Sequence, residues 1–412
     1  MKSLASETEL FNGLVKWELI IYSVLFFALV CLSIFAFVQS QAFYGTEHEY
    51  DVIFSSDSPY LVKYNAYLSL FHSENDIRQP LFAVFSAPFL SIFFLFGKVF
   101  SSSPCVIAIL LNIGQIAVIF VTNLILAKTL ELNTVKRISF VLLSVCTFAT
   151  TLFSLMMEQY IITCFWMILC IFIVCKEQRK HTIALLGASG TMITSALLLP
   201  FFSNFSPFKD FKKWFYDVFR CGVSFLLLVL TFGRADVFLT LVEKYVSLNK
   251  FTSRNLTITD KLMQFSHFVS NCFTAPDAGI DLTSLDHPSW QLAFPSEFCI
   301  SGIIIFSLAI ISIIINRKKI ISRISAVWIA FSLVMLVVLG WGTAENGLIL
   351  YSLYFGWPYL VLLFQLAEKI EEKLRVKFVI PILSVIACVG MLIINIPAIK
   401  EMLDFAIAYY PA

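Results

Sequence analysis

The chain is predicted to be an all-α polytopic membrane protein, and three observations carry that reading. Of its 412 residues 59% are hydrophobic and only 14% are charged, against roughly a quarter charged in a soluble domain. The apolar residues come in runs of about 16–25, the length at which a helix crosses ~30 Å of hydrocarbon. The runs are continuous, not the alternating ten-residue segments of a membrane β-barrel. A net charge of +2 points to no particular partner, and no basic, aromatic-interleaved stretch suggests nucleic acid.

The first apolar run, 19–40, is too long for a signal-peptide core and lacks an A-x-A cleavage site, so it reads as a retained span. Positive segments stay in the cytoplasm. Lys128–Arg137, Lys176–His181, Lys209–Lys213, Asn316–Arg323 and Glu368–Lys377 are such segments. The segment 46–76 carries Glu47, Glu49, Asp51, Asp57, Glu74 and Asp76 against Lys63, and belongs outside. Two runs then resist counting. Residues 81–127 must cross an odd number of times yet read as two segments; 182–208 must cross an even number of times yet read as one. Both hold breakers: Pro88, Gly97 and Pro104 in the first, Gly187, Gly190 and Pro200 in the second. Short, broken or re-entrant helices are expected in both, since helix breaks at membrane depth need protein or water to satisfy the freed backbone. Spans are expected at 19–40, 81–103 (broken), 104–127, 138–156, 160–175, 182–207 (broken), 218–233, 299–316, 324–342, 349–366 and 378–397. The whole chain, 1–412, is then one integral membrane domain of about 10–12 helices. It has a first exterior loop at 41–80, a large exterior loop at 234–298 and an exterior C-terminus with Tyr409 and Tyr410.

Ten cysteines form no C-x-x-C pair, and most lie in apolar runs as small hydrophobes. Cys272 and Cys299 flank the large loop and are placed to pair. The five histidines show no metal-ligand spacing. A divalent metal is left open as a cofactor.

On this map three acids face the exterior: Asp57 in the first loop, Glu158 in a turn between two spans, and Glu345 in the turn GWGTAENG. Carboxylates beside hydrocarbon are costly and mark function by default. Each also has a plain alternative. Asp57-Ser58-Pro59 is a good helix start, with Asp57 as cap. Tyr60, Leu61, Tyr64, Tyr67, Leu68 and Phe71 follow at helical spacing, as in an amphipathic helix lying in the interface. Glu158 could be a solvated turn residue, and the glycines around Glu345 suit a simple turn. Tyr351, Tyr354 and Trp357 read as an interfacial belt or as rings that stack on a sugar or prenyl chain. Arg78, at the entry of the second apolar run, is the first candidate cation, with Lys63 second and Arg234 or Arg254 third; His72 lies in the same loop as Asp57.

An acid just after the first span, a juxtamembrane helix, and Arg78-Gln79-Pro80-Leu81 opening a short second span resemble the layout of the GT-C class of membrane glycosyltransferases. Protein O-mannosyltransferases and lipid A aminoarabinose transferases are similar in this layout. The class typically enters the second span with His-Pro-Pro or Lys-Pro, and this chain departs from that. The resemblance implies that Asp57 is catalytic. It also implies that Met157-Glu158-Gln159-Tyr160 occupies the place of a second acidic or polar site. No phosphate loop, nucleotide fingerprint or Ser-His-Asp order is present. The donor expected is therefore a sugar already activated in the membrane on polyprenyl phosphate, and the acceptor a glycan, lipid or protein at the exterior face of a bacterial plasma membrane. Asp57 is expected as base. Glu158, Glu345, Arg78, Lys63, Tyr60, His72 and Tyr351 are expected to bind substrate. The alternatives are a transporter or lipid-linked saccharide flippase, and a structural subunit with inert acids.

Overall fold

The computed structural model of the chain describes residues 16–45, 52–54, 56, 58–63, 67–69, 78–100, 103–176, 181–198, 210–232, 234–239, 252, 255–282, 287–344, 346–376 and 378–412. In chain order its helices begin with α1 (Lys16–Gln39), α2 (Ser58–Lys63), α3 (Phe82–Phe100), α4 (Pro104–Thr129) and α5 (Thr134–Cys146). Next come α6 (Phe148–Leu155), α7 (Tyr160–Cys175), α8 (Thr182–Thr191), α9 (Phe211–Thr231) and α10 (Asp236–Leu239). The last five are α11 (Ile258–Asn271), α12 (Ile300–Ile315), α13 (Ile320–Leu333), α14 (Ser352–Leu374) and α15 (Val379–Tyr409). Among these, α1, α3, α4, α9, α13, α14 and α15 are long and apolar enough to cross a membrane, and the bent pair α5–α6 adds one more if it is a single span. α7, α8 and α12 are apolar but shorter. Among the described residues the expected spans fall on helices, with 182–198 a helix followed by a 3-10 turn, so the chain has the make-up of a multi-pass membrane protein. One expectation is corrected: a two-stranded antiparallel hairpin, β1 (Ala278–Asp281) and β2 (Ser289–Leu292), lies between α11 and α12.

α4 and α14 are the innermost long helices, buried over most of their apolar length. α4 packs on α1, α3 and α7; α14 packs on α12, α13 and α7; α15 closes the bundle against α5. The expected break in 81–103 is absent, and α3 continues through Pro88. It runs antiparallel to α4 at close range: Gly97 lies against Ile107, and a Cβ on Gly114 would come within 2.7 Å of Phe93. Cys105 Sγ donates to the carbonyl of Phe37 at 3.5 Å, so α4 starts where α1 ends. α4 runs from that end to the basic turn after Thr129, and α3, also long enough to cross, runs the opposite way beside it.

Span 138–156, expected to be continuous, is instead bent by 60° between α5 and α6. The bend is satisfied by protein, as membrane depth demands. Phe148 N–H donates to Phe273 O at 2.9 Å. The buried amide of Asn395 on α15 donates to Cys146 O at 3.0 Å and to Phe273 O at 3.2 Å, and accepts from Ala275 N at 2.7 Å. The second expected break is present: α8 stops at Thr191, Met192 is extended, and a 3-10 turn covers Ile193–Leu198.

The two ends of the bundle differ in charge, as the loops predict. At one end Lys136 pairs with Glu368 and Glu371, Lys319 with Glu368, and Lys176 with Glu131. The exposed Glu131 carboxyl is held below its ordinary range by that lysine. At the other end the loops knit together. Gln41 N–H donates to Tyr410 O at 2.9 Å, Phe54 N–H to Trp290 O at 2.8 Å, and Trp290 N–H to Val52 O at 2.8 Å. Tyr410 Oη donates to Pro288 O at 2.6 Å. The residues past 397, expected as a tail, continue α15 to Tyr409. α11 opens on a capping box, with Thr257 and Asp260 exchanging side-chain and backbone hydrogen bonds.

Two smaller expectations are corrected. The helix expected from Ser58 to Phe71 is described as Ser58–Lys63, followed by a turn at Tyr67 and Leu68. Its Leu61, and Tyr67 beyond it, are buried in protein, not laid on the membrane surface. Cys272 and Cys299 are both free; Cys272 is buried with its thiol toward Ser352 O, and Cys299 lies beside Ser301.

Candidate active site

The candidate site is built around a polar side chain inside an apolar helix. Gln115 on α4 is fully buried. Its Nε2 donates to Met156 O at 2.7 Å, Phe153 O at 3.0 Å and Asn112 Oδ1 at 3.2 Å. Its Oε1 accepts from Tyr67 Oη at 2.8 Å and from the backbone N–H of Glu158 at 3.0 Å. One amide thus holds the non-helical stretch between α6 and α7 and ties it to the first loop. Asn112, one turn earlier, donates to Ser33 Oγ and to Ser154 O, both at 2.7 Å, and pins α1 and α6 to the same place.

On this support sits Glu158, fully buried. The reading of a solvated turn carboxylate is overturned: the turn lies under other chain, and burying a carboxylate is costly enough to demand partners. One of them is its neighbour, since Glu158 Oε2 accepts from Gln159 N–H at 3.0 Å. The preceding carbonyl, Met157 O, accepts from Ser58 Oγ at 2.9 Å. Ser58 follows Asp57 directly, so the hydrogen bond joins the sequence neighbours of two expected site residues 99 positions apart.

Two residues on, the ring of Tyr160 meets that of Tyr351 edge to face at 5.0 Å and lies 6.1 Å from Tyr354. Tyr351 Oη accepts from Trp341 Nε1 at 2.7 Å. The Arg78 guanidinium lies over the Trp341 ring at 5.6 Å, a cation–π geometry. Its backbone carbonyl accepts from Ile193 N–H at 2.8 Å. The line Glu158, Tyr160, Tyr351, Trp341, Arg78 therefore connects three of the expected residues. The belt reading is corrected here: Tyr351, Tyr354 and Trp357 are all buried. Tyr354 Oη bonds Ser195 at 2.9 Å, so these rings are internal walls.

The turn before Tyr351 is tight. Gly340 and Gly342 adopt φ of +68° and +72°, and a Cβ on Gly342 would fall 2.8 Å from the Tyr351 ring. Asn346 is also left-handed, at φ 50°, and its Nδ2 donates to Ala293 O at 2.9 Å. Asn346 follows Glu345, so the third acid's neighbour is fastened to the large loop. Arg234, a third-choice cation, is buried against Asp236 at 3.2 Å and reaches Pro80 O at 3.5 Å, which ties the large loop to the entry of α3.

Asp57, His72 and Glu345 lie outside the described residues, as do the side chains of Tyr60 and Lys63 on α2. Among the described residues no group of three or more His, Cys, Asp or Glu is gathered as a metal set. The residue missed from sequence is Gln115, and its signal was there to read: Asn112 and Gln115 stand at i, i+3 inside an otherwise apolar span. The chain matches no protein-family model, no curated protein and no solved structure.

Proposed function

We propose that the chain is a GT-C-like glycosyltransferase that moves a sugar from a polyprenyl-phosphate donor to a hydroxyl of a cell-envelope glycan, lipid or protein. The observation that carries this is the hydrogen bond from Ser58 Oγ to Met157 O. It brings the residue after Asp57 and the residue before a fully buried carboxylate into contact. The loop-bearing end is assigned to the extracytoplasmic face of the cell membrane, because the opposite end carries the lysines and arginines.

The chemistry asks for few parts. An acceptor hydroxyl attacks the anomeric carbon as the bond to the leaving phosphate breaks, and Asp57 takes the hydroxyl proton. The transition state has oxocarbenium character, as in glycoside hydrolysis. Glu158 and Glu345 hold sugar hydroxyls near it. The departing phosphate needs cations rather than a proton; Arg78 is the first candidate for that role and Lys63 the second. Tyr160 and Tyr351 form a wall on which a sugar ring can pack.

The rival is a transporter or flippase, favoured by the bent span at Thr147, since broken helices mark transport sites. Its weakness is that Asn395 and Phe273 already occupy the polar groups freed at that bend. The discriminating experiment uses membranes carrying the full chain and a radiolabelled polyprenyl-phosphate hexose. Label moving into an acceptor, and falling ten- to a hundredfold in Glu158→Gln as a buried charged hydrogen bond is lost, supports the transferase. Donor crossing the bilayer with the glycosidic linkage to phosphate intact supports the rival.

A further inference from the structure

A second concavity lies on the loop-bearing end, outside the site above. It is a cup of about 260 Å³ between α11, the β1–β2 hairpin and the start of the 3-10 turn Gly347–Tyr351, near the ~300 Å³ lower end of small-molecule sites. Its floor is buried and carries three amides; His267, whose Nε2 lies 3.0 Å from Glu297 O, and Ser296 add polar groups around them. Gln264, Asn271 and Asn346 line it, each more than nine-tenths buried. Gln264 Nε2 is spent on Thr343 O at 3.4 Å. Its Oε1 is enclosed and has no hydrogen-bond partner among the described residues. A buried carbonyl in that state costs stability unless a donor reaches it. Asn346 is held in the left-handed region by its bonds to the hairpin, so the shape of the cup is fixed on two sides.

The remaining wall is apolar. Phe268 and Leu348 are buried in the floor, while Phe294 and Phe298 stand exposed at the rim. Asp277 and Glu297 are also at the rim, in solvent. No lysine or arginine is among the described lining residues. This pattern selects a ligand. An anion would meet carboxylates at the rim, and the one basic side chain among the described lining residues is His267, whose Nε2 is already engaged with Glu297 O at 3.0 Å. A cation would have to leave the carboxylates and sit among neutral amides, which repay desolvation of a charge poorly. A neutral polyol ring suits both layers, since its hydroxyls donate to amide and carboxylate oxygens and its C–H face packs on aromatic rings.

We infer that this cup binds one neutral sugar unit. Which sugar-bearing molecule that is rests on the transferase reading: the unit belongs to the acceptor. The wall between cup and candidate site is one short strap. Asn346, Leu348 and Ile349 line the cup, and Tyr351, two residues on, packs against Tyr160 beside Glu158. An acceptor seated by one sugar in the cup would present its next hydroxyl toward that side.

The test is saturation-transfer NMR on the purified full-length protein in detergent, with glucose, galactose and N-acetylglucosamine as neutral probes. Glucosamine serves as the cationic control and glucose 6-phosphate as the anionic one. At least one neutral sugar should give signal at millimolar concentration and exceed both charged controls. Gln264→Leu should weaken it tenfold or more. Phe294→Ala, at an exposed rim position that the fold does not need, should weaken it several-fold at unchanged thermal unfolding. Signal from glucosamine or glucose 6-phosphate alone, no signal from any neutral sugar, or signal indifferent to both variants would each overturn the assignment. A sugar that binds and responds to the variants while membranes transfer nothing keeps the cup and removes the transferase reading. Transfer whose acceptor KM is the same in Phe294→Ala and wild type keeps the transferase and removes the cup.

Discussion

At the basic end of the bundle Glu18 is fully buried on α1, and Arg137 on α5 grips it with both arms, Nε at 2.6 Å and Nη2 at 2.7 Å, with Tyr22 Oη adding a third bond at 3.2 Å. At the loop-bearing end Glu158 is equally buried, but it stands on the non-helical link between α6 and α7, carried by an amide from α4. Two buried carboxylates thus do different work. The first joins two regular helices side by side and has its geometry filled by the fold. The second sits in a link whose backbone is held by Gln115 and whose side chain accepts from Gln159 N–H, with neighbours that reach the first loop and the aromatic wall. Burial alone does not separate a structural acid from a candidate reactive one; the kind of backbone it sits on, and what converges there, does.

That contrast can be broken most sharply at Glu18. Glu18→Gln leaves the half-buried Arg137 without its counter-charge and should cost about 3 kcal/mol, read as a large fall in unfolding temperature in detergent. Glu18→Met with Arg137→Leu should recover most of it, because an ion pair replaced by apolar side chains is often neutral. Transfer per folded molecule should stay near wild type in that double variant. A single variant as stable as wild type would mean that the pair holds nothing.

A smaller effect is expected where the bent span is satisfied. Asn395→Leu strips hydrogen bonds from Cys146 O, Phe273 O and Ala275 N and should cost about 1–3 kcal/mol. Hydrogen exchange should rise first at 146–150, next to the bend, before the rest of the bundle. Uniform exchange along α5 and α6 would contradict that local role. Smallest of all is Tyr351→Phe, which keeps the ring against Tyr160 and removes the hydroxyl that accepts from Trp341. About 0.5–1.5 kcal/mol is expected, with a red or blue shift of Trp341 fluorescence as its indole N–H loses its partner. An unshifted spectrum would show that the bond is not made in solution.

The membrane class, the span positions and the gathering of loops at one end were legible in the sequence, because hydrophobic length and lysine placement are imposed by the bilayer itself. What stayed hidden depends on side chains meeting across the bundle. Pro88 reads as a breaker yet sits within α3, and Thr147, which reads as nothing, is where a span bends. The β1–β2 hairpin was missed because its strands are four residues each, too short for a period-2 pattern to emerge. Tyr351, Tyr354 and Trp357 looked like a belt since aromatic residues at a membrane rim and in a polar core share one spacing. Glu158 stands out in the sequence as an acid between apolar runs, but its burial could not be read there, because the partners that hold its link, Gln115 and Ser58, are far from it in sequence.

The most direct measurement is sugar transfer by Asp57→Asn, made with the radiolabelled polyprenyl-phosphate donor and normalised to folded protein. Asparagine caps a helix about as well as aspartate, so the fold should be kept. If Asp57 is the base, transfer falls by roughly a hundredfold or more. Alanine at the same position should add a stability loss of about 1 kcal/mol. Transfer by Asp57→Asn at close to the wild-type rate, with only the alanine variant impaired, would contradict the account and leave Asp57 as a helix cap.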